Sequence, residues 1–273
     1  MKDNTPARFV SSQFELGSEP VTEATIVLLP LGAHEQHGQH LPFDTDTTIA
    51  DGVCRYVVEH IKELDSMQMN DIVDLRILPT EQVGYSPEHM DFAGSKSLTY
   101  GEALERWIDI GDALAKSGVK RVMLMNAHGG NSPLVTIVCQ ELRVRFGILA
   151  VGTKWDRFLT ETKFINSSEK LYGIHGGDIE TSVMLKLAPH RVDMSKAAYQ
   201  RNLQEKLLDN FTHLRAYGSH AFGWKMQDLN SKGVVGNAAQ ATAEKGEKLL
   251  REAAAGIVAL LHDMMDFRLS WLK

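Results

Sequence analysis

Cysteine is almost missing from this chain of 273 residues: only Cys54 and Cys139 occur. Each falls in a segment with the pattern of an amphipathic helix, so a disulfide framework is excluded and both read as small buried hydrophobes. Long apolar runs are missing too. No stretch of about 18 apolar residues occurs, which argues against a transmembrane helix. The opening MKDNTPARFVSSQFELG has no apolar core of signal-peptide length. A cytoplasmic protein with no membrane partner is expected. Nor is there an excess of positive charge. The 29 Lys and Arg face 35 Asp and Glu, giving a net charge of −6 with no dense basic run, which argues against a nucleic-acid partner.

What remains is an ordinary globular composition, 43% hydrophobic and 23% charged, which excludes disorder. A chain of this length is commonly one α/β domain with one large core, so residues 1–273 are expected to form a single domain. The run IVLLPLG at 26–32 is short, apolar and rich in β-formers, as in a strand covered on both faces of a parallel sheet. Similar runs recur at 75–79, 120–125 and 148–152. Helical periodicity lies between them at 47–63, 99–116 and 132–146, and later at 178–187 and 238–265. The segment 190–236 is less regular. The alternation predicts a three-layer α/β/α fold with a mostly parallel central sheet, whose ligand sites gather at the carboxyl ends of the strands.

Chemistry concentrates at those ends. Directly after the first long strand comes GAHEQHGQHLPFDTDT at 32–47, with three histidines and three carboxylates. Imidazole mixed with carboxylate suits Zn²⁺, Mn²⁺ or Fe²⁺, and in extended backbone Glu35 and His37 point the same way. A solvated polar loop would account for this segment alone. A second strand end, however, carries Asn126-Ala-His128-Gly-Gly-Asn131, and neighbouring strand ends converge, so His128 is expected to meet Glu35, His37 and Asp46. A third element, HGGDIETS at 175–182, opens a helix. Asp178 reads as its N-terminal cap, and His175 and Glu180 as chemistry.

PLGAHEQHGQHLPFDTD at 30–46, EHMDFAGSKSL at 88–98, NAHGGN at 126–131, Trp155-Asp156, HGGDIETS and GVVGNAAQATAEKG at 233–246 together resemble the creatininase family of amidohydrolases. The resemblance implies a compact α/β/α domain, a homohexamer, and two divalent metal ions, zinc first with manganese or iron as alternatives. It places ligands at Glu35, His37, Asp46 and His128, with Asp46 bridging the two ions. It also puts Trp155, Glu88, His89, Gly129 and Asn131 about the substrate, and assigns His175 to proton donation toward the departing nitrogen.

Two departures stand out. Creatininase carries a metal-binding glutamate where this chain has Gly130, and Glu180 is expected to supply the replacement carboxylate, as both ligand and catalytic residue. Gly129 and Leu171 stand where creatininase has a tyrosine and a tryptophan, so a flat ring loses stacking surface and creatinine itself is disfavoured. The expected activity is metal-dependent hydrolysis of a C–N bond in a small, cyclic amide. A formamide deformylase or a peptide-trimming enzyme of the same family is the alternative, and a non-catalytic metal-binding scaffold is the third reading. His34 and His40 are expected to orient ligands without joining them.

Overall fold

The computed structural model describes residues 7–9, 16, 19–67, 73–159 and 164–273. Most of the opening segment, read above for a signal peptide, lies outside them. Seven strands and eight α-helices are found among the described residues. The strands are β1 (Ala7–Phe9), β2 (Ile26–Leu31), β3 (Leu75–Ile77), β4 (Arg121–Asn126), β5 (Leu149–Lys154), β6 (Tyr199–Gln200) and β7 (Gly236–Asn237). The helices are α1 (Thr45–Ser66), α2 (Tyr100–Lys116), α3 (Ser132–Phe146), α4 (Ser167–Tyr172), α5 (Asp178–Leu187), α6 (Leu203–Asn210), α7 (Met226–Leu229) and α8 (Ala243–Asp266).

The central sheet has the order β1-β3-β2-β4-β5, with every pairing parallel. Side chains alternate across it, as the two-residue period of a strand requires. Ile26 and Leu28 of β2 and Met123 and Met125 of β4 join residues of α1, α5 and α8 in one apolar layer. Val27, Leu29, Leu31, Val122 and Leu124 join α2 and α3 in the other. Both faces are therefore covered, which explains why the strands read as unbroken apolar runs.

The order also creates a switch point. From β2 the chain moves outward to β3, then returns past β2 to β4, so the connections leaving β2 and β4 diverge to opposite faces. A crevice opens between those two carboxyl ends, the usual ligand position in such sheets. The loop after β2 carries Glu35 and His37; the loop after β4 carries His128.

Most elements lie where periodicity predicts. The last helix starts later than its composition suggests, because Thr242 caps it by accepting a hydrogen bond from Lys245 N (3.2 Å), leaving Ala238–Gln240 as a separate 3-10 turn. The irregular segment holds α6, opened by the reciprocal cap between Asn202 and Glu205, and the small antiparallel pair β6–β7.

Helices α5 and α8 approach so closely that a Cβ at Gly246 would strike the carbonyl oxygen of Ser182, a backbone atom with no freedom to yield. Gly246→Ala is expected to lower unfolding free energy by about 1–3 kcal/mol through overpacking. Gly101→Ala, whose new methyl meets nothing within 4 Å, is expected to be neutral or stabilising by up to about 1 kcal/mol through helix propensity. Urea denaturation of both variants checks this; a Gly246→Ala protein as stable as wild type would contradict the packing described.

Candidate metal centre

Three chain segments meet at the crevice. Glu35 and His37 come from the loop after β2, and Asp46 from the first turn of α1, where the helix amides favour a negative charge. His128 follows β4, with its backbone held by Asn126: His128 N donates to Asn126 Oδ1 (3.0 Å), and Asn126 Nδ2 donates to His128 O (2.6 Å). His175 precedes α5, and Glu180 sits in its first turn, accepting from Gly176 N at 2.7 Å.

Glu35, His37, Asp46 and His128 are each at most 4% exposed. Four triads of ligand atoms, each with all atoms within 4.8 Å of one another, form among the described residues: Glu35–His37–His175, Glu35–Glu88–His89, and a last pair, Glu35–Asp46–His128 and His37–Asp46–Glu180. Asp46 belongs to both. Its Oδ1 lies 3.3 Å from His37 Nε2 and its Oδ2 3.3 Å from His128 Nδ1. Glu35 Oε1 is 3.1 Å from His128 Nδ1, and Glu180 Oε2 is 3.8 Å from His37 Nε2.

These residues fit a pair of cations. Both oxygens of Glu35, Oδ2 of Asp46 and Nε2 of His37 are buried with no hydrogen-bond partner, a costly state unless a cation completes them. The ring orientations agree. His37 Nδ1 is 3.0 Å from Glu35 O, and His128 Nε2 is 3.1 Å from Tyr85 O. A carbonyl only accepts, so each outer nitrogen carries the proton and each inner nitrogen presents its lone pair to the crevice. The donor set of imidazole and carboxylate suits zinc or manganese.

Without cations, protons stand in for them. Burial opposes charge on His37, but Asp46 outweighs it and raises its pKa to about 9. Burial likewise opposes charge on His128, yet Glu35 and Asp46 lift its pKa well above the ordinary value. Burial alone would raise the carboxylates, but His128 holds Glu35 low and His37 holds Asp46 low. Glu180 goes the other way: burial lifts it to about 7 despite His37.

A second group of rings lies beside these triads. His175 stacks between His37 and His89, with centroids 4.2 Å and 4.4 Å away. Its Nε2 is 2.8 Å from Gln36 O, so it donates there, and its Nδ1 faces Glu35 Oε1 at 3.5 Å. Burial, then the neighbouring His37 and His89, push its pKa well below the ordinary value. With Nε2–H donating to Gln36 O, Nδ1 is the nitrogen that presents an acceptor. His89 Nε2 also faces Glu35 Oε1, at 3.5 Å, and burial lowers its pKa to about 4. Glu88 lies 3.4 Å from His128 Nε2, its carboxyl pushed upward by burial.

Other expected site residues sit elsewhere. Trp155 is 1% exposed and packs within the apolar layer shared with α8. Asn131 is fully buried and spent on the scaffold: Oδ1 accepts from Tyr85 N (2.8 Å), and Nδ2 donates to Gly32 O (3.0 Å) and Asn126 Oδ1 (3.2 Å). Gly129 borders open space. Asp178 does not cap α5, whose N-cap is Gly177; it pairs with Lys245 (2.6 Å) and accepts from Ser182 Oγ (2.9 Å). His40 ties the first loop to the third, with Nε2 3.1 Å from both Gly176 O and Thr181 Oγ1.

Two positioning residues escaped the sequence reading. Glu169, 4% exposed, accepts from Asp178 N (2.6 Å) and Asn237 N (2.7 Å) and so anchors the loop carrying His175 and Glu180; nothing in SSEKLYG separates it from a surface helix acid. Lys154, paired with Asp156 at 2.7 Å, faces Glu180 from the end of β5. Its place at a strand end was the available signal.

Cation binding must displace the protons on His37 and His128 and the share of Glu180 protonated near its pKa of about 7, so uptake of zinc is expected to release about two to three protons per subunit near neutral pH. Because these protons are held below their raised pKa values, zinc affinity is expected to increase as pH rises from about 6 to about 8. Calorimetric titration in buffers of different ionisation enthalpy measures the release; proton-neutral, pH-independent uptake would contradict the arrangement.

Among known proteins, the family model described as creatininase (creatinine amidohydrolase) matches residues 12–261. The creatinine amidohydrolase of Pseudomonas putida is 28% identical over 256 residues, covering 87% of this chain and 89% of that protein. The mycofactocin precursor peptide peptidase of Mycolicibacterium smegmatis is 28% identical over 231 residues, covering 85% and 82%. A zinc–zinc form of a creatininase variant superposes with a TM-score of 0.69 at 26% identity, covering 89% of this chain and 92% of that one. The crevice at the β2–β4 switch point and the match along nearly the whole sequence lead to one assignment: the chain belongs to the creatininase family of hydrolases.

Proposed function

We propose that this protein is a metal-dependent amidohydrolase that cleaves a C–N bond in a small amide, with two divalent ions, zinc first, held by Glu35, Asp46, His128 and by His37, Asp46, Glu180. The observation that carries this reading is the sharing of Asp46 between two triads in which both oxygens of Glu35, Oδ2 of Asp46 and Nε2 of His37 are buried without a hydrogen-bond partner. Glu180 supplies the carboxylate absent at Gly130. When bound, such ions activate water and polarise a carbonyl.

The protein's own groups supply the rest. His175, neutral and with Nδ1 free, is placed to accept a proton and then pass it to the departing nitrogen. Glu88 and His89 border the crevice on the side of Gly129, where the substrate enters. Trp155 is buried, Gly129 bears no side chain, and Leu171 is 56% exposed, so an aromatic clamp for a flat ring lacks its parts and creatinine is a poor candidate. A small, cyclic amide that needs no aromatic clamp is the better candidate, with a formamide as the alternative. The open space at Gly129 also suits the end of a peptide, and the mycobacterial relative, a peptidase by name, favours that as the second reading.

The chain acts as one domain, since both apolar layers share one sheet. A homo-oligomer, a hexamer by resemblance, is supported by the exposed Leu171, Tyr199, Leu208 and Phe211. Cys54 and Cys139 are unpaired, which suits the cytoplasm. No helix among the described residues is long and apolar enough to cross a membrane.

Elemental analysis of untagged protein, with hydrolysis assays on creatinine, formamides, cyclic amides and short peptides before and after chelation, tests the function. About two metals per subunit and chelator-sensitive cleavage of one class are expected. His175→Ala is expected to lower turnover by about 10²–10⁴-fold with metal content unchanged. Metal-free protein with no amide cleavage after reconstitution would return the non-catalytic scaffold to the front.

A further inference from the structure

Gly130 and Glu88 occupy complementary space. A Cβ built on Gly130 would collide with the carbonyl oxygen of Tyr85, and would lie 2.5 Å from His128 Nε2 and 2.8 Å from Glu88 Oε1. Glu88 comes from a different loop, a 3-10 turn at Pro87–His89. Its carboxylate therefore reaches the outer nitrogen of His128 only because position 130 has no side chain. That nitrogen also meets Tyr85 O and Ser86 Oγ, both at 3.1 Å. The opposite nitrogen, Nδ1, is the one that faces Glu35 and Asp46.

We infer that Glu88 is a positioning residue for the metal centre: seated over Gly130 against His128 Nε2, its carboxylate holds the ring so that Nδ1 stays on the Glu35–Asp46 side. The inference rests on the binuclear reading above. Tyr85 O already sets the tautomer of His128; a carboxylate behind a ligating imidazole also orients the ring and makes the inner nitrogen a better donor. The contact is buried: His128 is 4% exposed and the Glu88 side chain 14%. It is also independent of the His37–Asp46–Glu180 triad, to which neither Glu88 nor His128 belongs. The two ions are therefore expected to respond differently when Glu88 loses its charge.

Zinc affinity measured by chelator competition tests this without reference to catalysis. Glu88→Gln keeps the shape and removes the charge, and is expected to weaken one of the two zinc affinities by about 10–100-fold while leaving the other within twofold. Glu88→Gln with both affinities within twofold of wild type overturns the inference. Wild-type protein that binds no zinc would instead defeat the binuclear reading.

Discussion

Two buried carboxylates, with both oxygens of Glu35 and Oδ2 of Asp46 lacking hydrogen-bond partners, set the terms for the rest of this structure. Glu35 and Asp46 carry negative charge at positions that water barely reaches, and such burial costs several kcal/mol per charge unless opposite charge is near. His37 and His128, whose pKa values these carboxylates raise, answer that need in the cation-free chain. The surrounding architecture makes the arrangement repeatable. Asn126 fixes the loop after β4, Asn131 ties it to the end of β2, and Glu169 holds the loop before α5. Asn126 does so locally, whereas Asn131 and Glu169 join segments distant in sequence, all through hydrogen bonds to backbone.

The sheet explains why such distant residues meet. Strand order and right-handed crossovers force the connections after β2 and β4 apart, and that divergence opens the crevice. Periodicity in the sequence was enough to read the layers, because buried parallel strands are apolar on both faces and amphipathic helices are not. It was also enough to place Glu35, His37, Asp46 and His128 at strand ends. The third segment was legible through HGGDIETS, although not the identity of its cap: Gly177 takes that position, and Asp178 is bound by Lys245 from α8.

What the sequence hid has a common physical cause. Trp155 follows a strand, but whether its ring turns toward the crevice or the core depends on packing against α8, which no local pattern encodes. Asn131 looked available because its amide can bind ligands, yet long-range contacts use its donors and its acceptor. The stacking of His175 between two other rings, which with burial pushes its pKa below the ordinary imidazole value, was not legible in HGGDIETS. The α6 helix was missed even though the Asn202–Glu205 cap was present in sequence, since its short apolar pattern falls among glycine-marked loops.

The central claim is that one chain holds two ions on either side of Asp46, and diffraction from zinc-loaded crystals at energies above and below the zinc edge tests it most directly. The account predicts two anomalous peaks per subunit, one within Glu35, Asp46 and His128 and the other within His37, Asp46 and Glu180. A single peak, or a second one that Glu180 does not touch, would contradict it.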